Sequence, residues 1–84
     1  MFERYETAYR YIYEDQLVAA EDGYLEEFRS SYDPDDIDWT SPTCKASLRC
    51  LLSELYQDRT DLAELIGQAG LDEDDLADIG FSLY

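Results

Sequence analysis

The 84-residue sequence predicts a single all-α domain over residues 1–84, a small compact bundle of four to five short helices. Apolar residues recur at intervals of three and four along most of the chain, which is the helical period. Signals that start or end helices interrupt this pattern, notably Ser41-Pro42, Gly70 and Gly80. A hydrophobic content of 45% indicates a folded core despite the high charge.

Two helices are predicted in the first part of the chain. From Phe2 to about Ala20 the three-four pattern extends over five turns and outweighs a short alternation of tyrosines that is typical of a strand. A break is expected at residues 21–23, where Asp22 is in position to cap a second helix over residues 24–31.

A connector is predicted from Tyr32 to Ser41. It begins with Asp-Pro-Asp-Asp at residues 33–36, a sequence that favours a turn because proline restricts φ and aspartate bonds its own backbone. Ile37 and Trp39 alternate with acids and are expected to pack against the helices.

Three further helices are predicted after the connector. Ser41 as N-cap and Pro42 in the first turn start a helix that runs to about Gln57 and is expected to be the central element. A fourth helix starts at Asp58 or Thr60. Gly70 and Gly80 have the position of left-handed C-terminal caps, Asp72 is expected to cap a fifth helix, and the apolar residues 81–84 are expected to pack back.

The two cysteines are predicted to be reduced core residues. Cys44 and Cys50 lie six residues apart on a predicted helix, which separates them by about 9 Å along its axis and puts them on different faces. That distance is beyond the reach of a disulfide. Two thiols without a histidine also do not make a zinc site.

The net charge of -15 and the pI near 4.1 exclude several classes of function. Phosphates and anionic lipids would repel the chain, so no direct contact with nucleic acid or membrane is expected. The longest uncharged run, residues 65–71, is too short to span a membrane, and the N-terminus does not resemble a secretory signal, so the protein is expected in the cytoplasm.

Catalysis, metals and cofactors are not expected either. The chain has no histidine and a single lysine, and its many carboxylates are interpreted as a solvated surface. The Asp-rich segments that start at residues 33, 36 and 72 lack the glycine and the glutamate of a calcium loop. Residues 62–79 superficially look like a helix-turn-helix, but the acidic second helix would be repelled by phosphate, and an ordinary helical corner is the preferred interpretation.

The acids are concentrated in one part of the chain. Ten acids and a single base, Arg29, lie between Glu14 and Asp38, a charge density close to that of one DNA strand. A second cluster of acids spans residues 72–78. Tyr32 and Trp39, which flank the Asp-rich turn at residues 33–38, are suited to contacting arginine and lysine. The candidate partner-binding residues are Glu14, Asp15, Glu21, Asp22, Glu26, Glu27, Tyr32, Asp33, Asp35, Asp36, Asp38, Trp39, Asp72, Asp74 and Asp75.

These features lead to the hypothesis of an acidic inhibitor that binds the basic, nucleic-acid-binding surface of a target protein. In size, charge and predicted helical content the chain resembles the small acidic phage proteins that block host defence, the anti-CRISPR and anti-restriction DNA mimics. This resemblance implies action in the host cytoplasm. An immunity protein or antitoxin that neutralises a basic nuclease is one alternative, and a structural or assembly subunit is another. The acidity, the single lysine and the absence of asparagine and histidine are also compatible with adaptation to a salt-rich cytoplasm.

Overall fold

The computed structural model describes residues 2–82, which form five α-helices and one short 3₁₀ helix, with no strand in that range. The helices are α1 (Glu3–Ala19), α2 (Asp22–Tyr32), α3 (Cys44–Asp58), α4 (Leu62–Gln68) and α5 (Glu73–Ile79), and the 3₁₀ helix (Pro34–Asp36) lies between α2 and α3. The predicted all-α class and the predicted number of helices are therefore confirmed. No helix in the described range has the length and apolar character needed to cross a membrane.

Helices α1 and α3 together occupy the centre of the bundle. Helix α3 packs against α1, α4 and α5, while α1 also contacts α2, α4 and the 3₁₀ helix. The predicted central position of the third helix is thus shared with α1. The buried apolar residues of the core cluster are Tyr5, Ala8, Tyr9, Ile12, Phe28, Leu48, Leu51, Leu52, Leu55, Leu62, Leu65, Ile66, Leu71, Leu76, Ile79 and Phe81.

The capping signals near the C-terminus act as predicted. Gly70 and Gly80 have φ values of +91° and +80°, the left-handed region that glycine enters without a steric penalty. After α4, the N–H of Leu71 donates to the carbonyl of Ile66 over 3.2 Å, and an equivalent bond of 2.9 Å from Phe81 closes α5. At the start of α5, the N–H of Asp75 donates to Oδ1 of Asp72 over 2.9 Å, which confirms Asp72 as the cap.

Three predicted helix starts differ from the structure. Helix α2 starts at Asp22, so Glu21 and not Asp22 occupies the N-cap position. Ser41 caps a turn rather than the helix itself, because its Oγ accepts the N–H of Thr43 over 3.4 Å and α3 begins only at Cys44. Helix α4 begins at Leu62, later than predicted, since the backbone at Arg59 is extended after the end of α3.

The two thiols have different environments. Both are free, as predicted, but only Cys44 is buried, and Cys50 is exposed. The prediction that both belong to the core is therefore wrong for Cys50. On an α-helix, side chains six residues apart point in directions that differ by about 120°. Cys44 and Cys50 therefore cannot both point into the same core.

The C-terminal residues return to the bundle as far as the structure describes them. Phe81 is buried in the core cluster, and its ring lies edge-on to Tyr56 with centroids 6.2 Å apart. The remainder of the predicted apolar tail, residues 83–84, lies outside the described residues.

Candidate functional site

Helix α2 is attached to the bundle mainly through aromatic rings. Phe28 is its one buried residue, and the ring lies 5.6 Å from Tyr13 of α1 and 5.0 Å from Tyr32 between centroids. Because these rings face inward, the opposite side of α2 exposes Glu26 and Glu27 to solvent. The helix therefore presents charge at the surface and contributes little aliphatic material to the core.

Residues 14–38, referred to here as the acidic segment, are poorly compensated by bases. Of its ten carboxylates, only Asp15 and Asp35 form ion pairs within the described part of the chain, with Arg59 at 2.7 Å and Arg10 at 3.2 Å. The other eight have no basic side chain within 4.0 Å among residues 2–82. They are Glu14, Glu21, Asp22, Glu26, Glu27, Asp33, Asp36 and Asp38. Eight of the ten carboxylates of the predicted acidic segment are thus uncompensated by internal bases in the described part of the folded protein.

The second predicted cluster, at the start of α5, has a mainly structural role. Asp75 is 8% exposed, accepts the N–H of Asp72 over 3.2 Å and pairs with Arg4 at 2.8 Å. Asp72 caps the helix and also pairs with Arg4, and the N–H of Asp75 holds the pKa of the Asp72 carboxyl below its usual range. Asp75 is thus buried and occupied by two internal contacts, and its predicted contact with a partner stays a prediction. Asp74 is exposed to solvent.

Asp78 belongs to the same internal network. It accepts a hydrogen bond of 2.6 Å from the hydroxyl of Tyr5 and pairs with Lys45 at 2.9 Å, so that it connects α5 to α1 and α3. Hydrogen bonds from the Tyr5 hydroxyl, which has the larger effect, and from Lys45 lower the pKa of the Asp78 carboxyl. Bases therefore pair with three of the C-terminal acids, Asp72, Asp75 and Asp78, and with only two of the ten carboxylates of the acidic segment.

The predicted aromatic anchors hold the connector against α1. Nε1 of Trp39 donates to the carbonyl of Pro34 over 3.1 Å, and its ring lies edge-on to Tyr9 with centroids 5.3 Å apart. The hydroxyl of Tyr9 donates to the carbonyl of Tyr32 over 2.7 Å. Tyr32 and Trp39 are both half-buried, so each has a structural contact and an accessible part.

Three clefts lie in a row along the junction of α2 with α3. The first has a volume of about 460 Å³ and shares Tyr24 as a wall with the second, of about 230 Å³. The second shares Ser31 and Tyr32 with the third, of about 360 Å³. Each cleft is lined by two carboxylates. They are Glu21 and Asp58 in the first cleft, Glu27 and Glu54 in the second, and Asp33 and Asp36 in the third.

Two of these carboxylates were not predicted as site residues. Glu54 and Asp58 belong to α3 and lie four residues apart, on one side of that helix. The hydroxyl of Tyr24 donates to Glu54 over 3.1 Å across the junction, and burial together with this bond raises the pKa of Tyr24 to about 12. Their helical spacing is visible in the sequence, but their position opposite α2 depends on how the two helices pack.

Within residues 2–82, no group of three or more His, Cys, Asp or Glu side chains has an arrangement suited to a metal ion. Comparison of the chain with known protein families, with curated proteins and with solved structures found no match in any of the three.

Proposed function

We propose that this protein binds the basic, nucleic-acid-binding surface of a target protein and inhibits the target by occupying that surface. The observation that supports the proposal is the distribution of ion pairs. In the described part of the chain, eight of the ten carboxylates of the acidic segment lack an ion pair, while Arg4, Arg10, Lys45 and Arg59 all pair internally.

A basic partner would supply the compensation that the fold does not provide. Like charges close together on a small domain destabilise its compact state, and a cationic surface relieves that repulsion on binding. Complementary charge mainly accelerates association and sets specificity, whereas a few desolvated side chains supply most of the affinity. The proposal involves no catalytic step, metal or cofactor, assumes a cytoplasmic target, and corresponds to the way in which acidic phage inhibitors of host defence act.

The alternatives differ in what they require of the surface. An immunity protein or antitoxin would use the same acidic residues against a nuclease, and the identity of the partner separates that role from the one proposed. An assembly subunit needs a continuous apolar patch. The exposed large apolar side chains among residues 2–82 are Tyr11, Val18 and Tyr56, on two different helices, which favours a charge-based interaction.

The proposal is tested by capturing the partner and then measuring competition with nucleic acid. The protein is used as bait in a host lysate at about 50 mM and about 500 mM salt, since screening weakens contacts between surface charges. We expect capture at low salt only, and loss of the captured partner when its nucleic-acid ligand is added. If the captured partner binds this protein and its nucleic-acid ligand at the same time, with no loss of affinity for either, the proposal is contradicted.

Charge reversal locates the interacting surface. The double variant Glu26→Lys/Glu27→Lys should slow association with the captured partner about tenfold and flatten the dependence of the rate on salt. The matched control is Glu64→Lys/Glu73→Lys, which introduces the same change of charge at exposed positions of α4 and α5. Equal slowing by both variants would mean that net charge, and not the acidic segment, drives association.

A further inference from the structure

We infer that the row of clefts between α2 and α3 receives an extended segment of the partner and that arginine side chains of this segment occupy the clefts in turn. The inference rests on the proposed function and adds the kind of determinant that the partner carries. It is carried by the carboxylate pairs, the tyrosine walls, the ends of two helices and the length of the groove.

The three pairs of carboxylates are available for a cation. None of the six forms an ion pair with a described residue, although Glu54 accepts the Tyr24 hydroxyl and Asp33 accepts the N–H of Asp35. One cation, Arg59, lines the first cleft, but it already pairs with Asp15 and Asp61 at 2.7 Å each and its side chain is only 14% exposed. Each cleft therefore has a negative wall that no internal base neutralises.

Tyrosine rings separate the clefts from one another. Tyr24 lies between the first and second clefts, and Tyr32 lies between the second and third. A planar guanidinium can stack on such a ring while its fork of N–H groups binds a carboxylate through two hydrogen bonds. The ammonium group of lysine is a compact point charge and lacks this geometry, which is why the clefts select arginine.

Two helix ends add partial negative charge to the first cleft. Ala19 and Ala20 at the end of α1 line it together with Asp58, the last residue of α3. The carbonyl groups at a helix C-terminus carry a partial negative charge, and neither α1 nor α3 has a basic residue in its last turn. The first cleft thus combines two carboxylates and two negative helix ends with the guanidinium of Arg59, the C-cap residue of α3.

The length of the groove specifies the spacing of the arginines. Helix α2 has 11 residues, which corresponds to about 16 Å. An extended chain covers that distance with about five residues, and its alternate side chains point to the same side. Three arginines at alternate positions therefore match three clefts.

The experiment uses two peptides with the same composition and charge. Acetyl-Arg-Ser-Arg-Ser-Arg-amide has the alternate spacing, and acetyl-Ser-Arg-Arg-Arg-Ser-amide has contiguous arginines. Binding to the full chain is measured by chemical-shift titration of backbone amides. We expect the alternating peptide to bind about fivefold more tightly and to shift the amides of Tyr24, Tyr32 and Glu54. Equal affinities, or shifts spread over all acidic residues, would overturn the inference, and this comparison does not depend on any variant.

A pair of variants then tests the first cleft. Glu21→Gln/Asp58→Asn should weaken the alternating peptide about tenfold, because both carboxylates of the cleft lose their charge. Glu64→Gln/Glu73→Gln removes the same charge from exposed positions outside the clefts and outside the acidic segment, and should weaken binding less than about twofold. Equal weakening would mean diffuse attraction and would overturn the inference. The peptide experiments use no partner protein. If they overturn the inference, the proposed function is still tested separately by competition with nucleic acid. If the competition test contradicts the proposed function, the peptide experiments still test whether the clefts bind arginine.

Discussion

At the residue scale, the carboxylates fall into two groups with different roles. Asp61, Asp72 and Asp78 each receive hydrogen bonds from a neighbouring base, backbone or hydroxyl group, and the pKa of each is lowered as a result. They contribute stability that is present above pH of about 4 and is lost as the pH falls through their folded-state pKa values. Most exposed acids of the acidic segment instead carry charge that the fold leaves uncompensated, although the hydroxyl and the N–H of Thr40 lower the pKa of the Asp38 carboxyl as well.

The capping role of Asp72 gives a prediction with an adjacent control. Asp72→Ala should lower the free energy of unfolding by about 1 kcal/mol, because the N–H of Asp75 loses its acceptor at the start of α5. Asp74→Ala makes the same change of charge two residues away, at an exposed position, and should change stability by less than about 0.5 kcal/mol. Urea unfolding of both variants checks this. Equal losses would show that the capping bond contributes nothing specific.

Buried tyrosine hydroxyls predict a loss of stability at alkaline pH. Burial raises the pKa of Tyr5 and of Tyr9, and it raises that of Tyr24 to about 12, all from an ordinary value of 10.0. A raised folded-state pKa contributes stability that is fully present below the unfolded value and is lost as the pH rises toward the folded value. The melting temperature should therefore decrease steadily from about pH 10 to about pH 12. A constant melting temperature over that interval would contradict the assignment of these hydroxyls as buried.

At the scale of elements, α2 and the connector depend on aromatic contacts. Phe28 is the single buried residue of α2, and it contacts the stacked ring of Tyr13 and the tilted ring of Tyr32. The connector is closed by Trp39, which contacts the ring of Tyr9 and the carbonyl of Pro34. The surface that carries the acidic segment is therefore positioned by a small number of rings.

Substitution of Trp39 tests this dependence. Trp39→Ala should lower the free energy of unfolding by about 3 kcal/mol, because a large ring packed on Tyr9 is removed. Trp39→Phe keeps most of the ring contact and loses only the bond to Pro34, for a loss of about 1 kcal/mol. Val18→Ala, at a side chain that is 89% exposed, is the control and should have almost no effect. Thermal melting that leaves Trp39→Ala unchanged would mean that the ring is available for a partner alone.

At the scale of the whole molecule, charge repulsion acts on a small domain. The chain carries a net charge of -15 within a radius of gyration of 12.0 Å. A domain of this size buries only about 60–65% of its unfolded surface, so its hydrophobic core leaves a narrow margin of stability. The compact state holds the acids closer together than the expanded chain does, and salt therefore favours folding.

Stability should increase with moderate salt. Raising the salt concentration from about 10 mM to about 300 mM shortens the Debye length from about 30 Å to about 6 Å. We expect the melting temperature to rise by about 5 °C, equivalent to roughly 1 kcal/mol for a domain of this size. The variant Glu26→Gln/Glu27→Gln, which removes two exposed charges, should show a smaller rise. An unchanged melting temperature in the wild type would indicate that its charges are already compensated.

Local sequence patterns were sufficient to predict the helices, three of their end signals and the position of the acidic segment. The left-handed glycines at 70 and 80 and the cap at Asp72 were predictable because each depends on groups within one or two turns of the same helix. Helix starts without a local side-chain bond, such as those of α2 and α4, were placed a few residues away from their true positions. The exposure of the acids followed from their number, since so small a core leaves no room for them.

Contacts between distant parts of the chain were needed to establish which acids are internal and which face each other across a groove. Arg4 pairs with Asp75, which is 71 residues away in the sequence, and Arg59 pairs with Asp15, which is 44 residues away. No pattern in the neighbouring sequence predicts either ion pair. Glu27 and Glu54 line one cleft because the fold places α2 and α3 on its two sides, where the Tyr24 hydroxyl of α2 reaches Glu54 of α3. Helix packing depends on the shapes of whole helix faces. It therefore brings together carboxylates whose proximity cannot be predicted from their spacing along the chain.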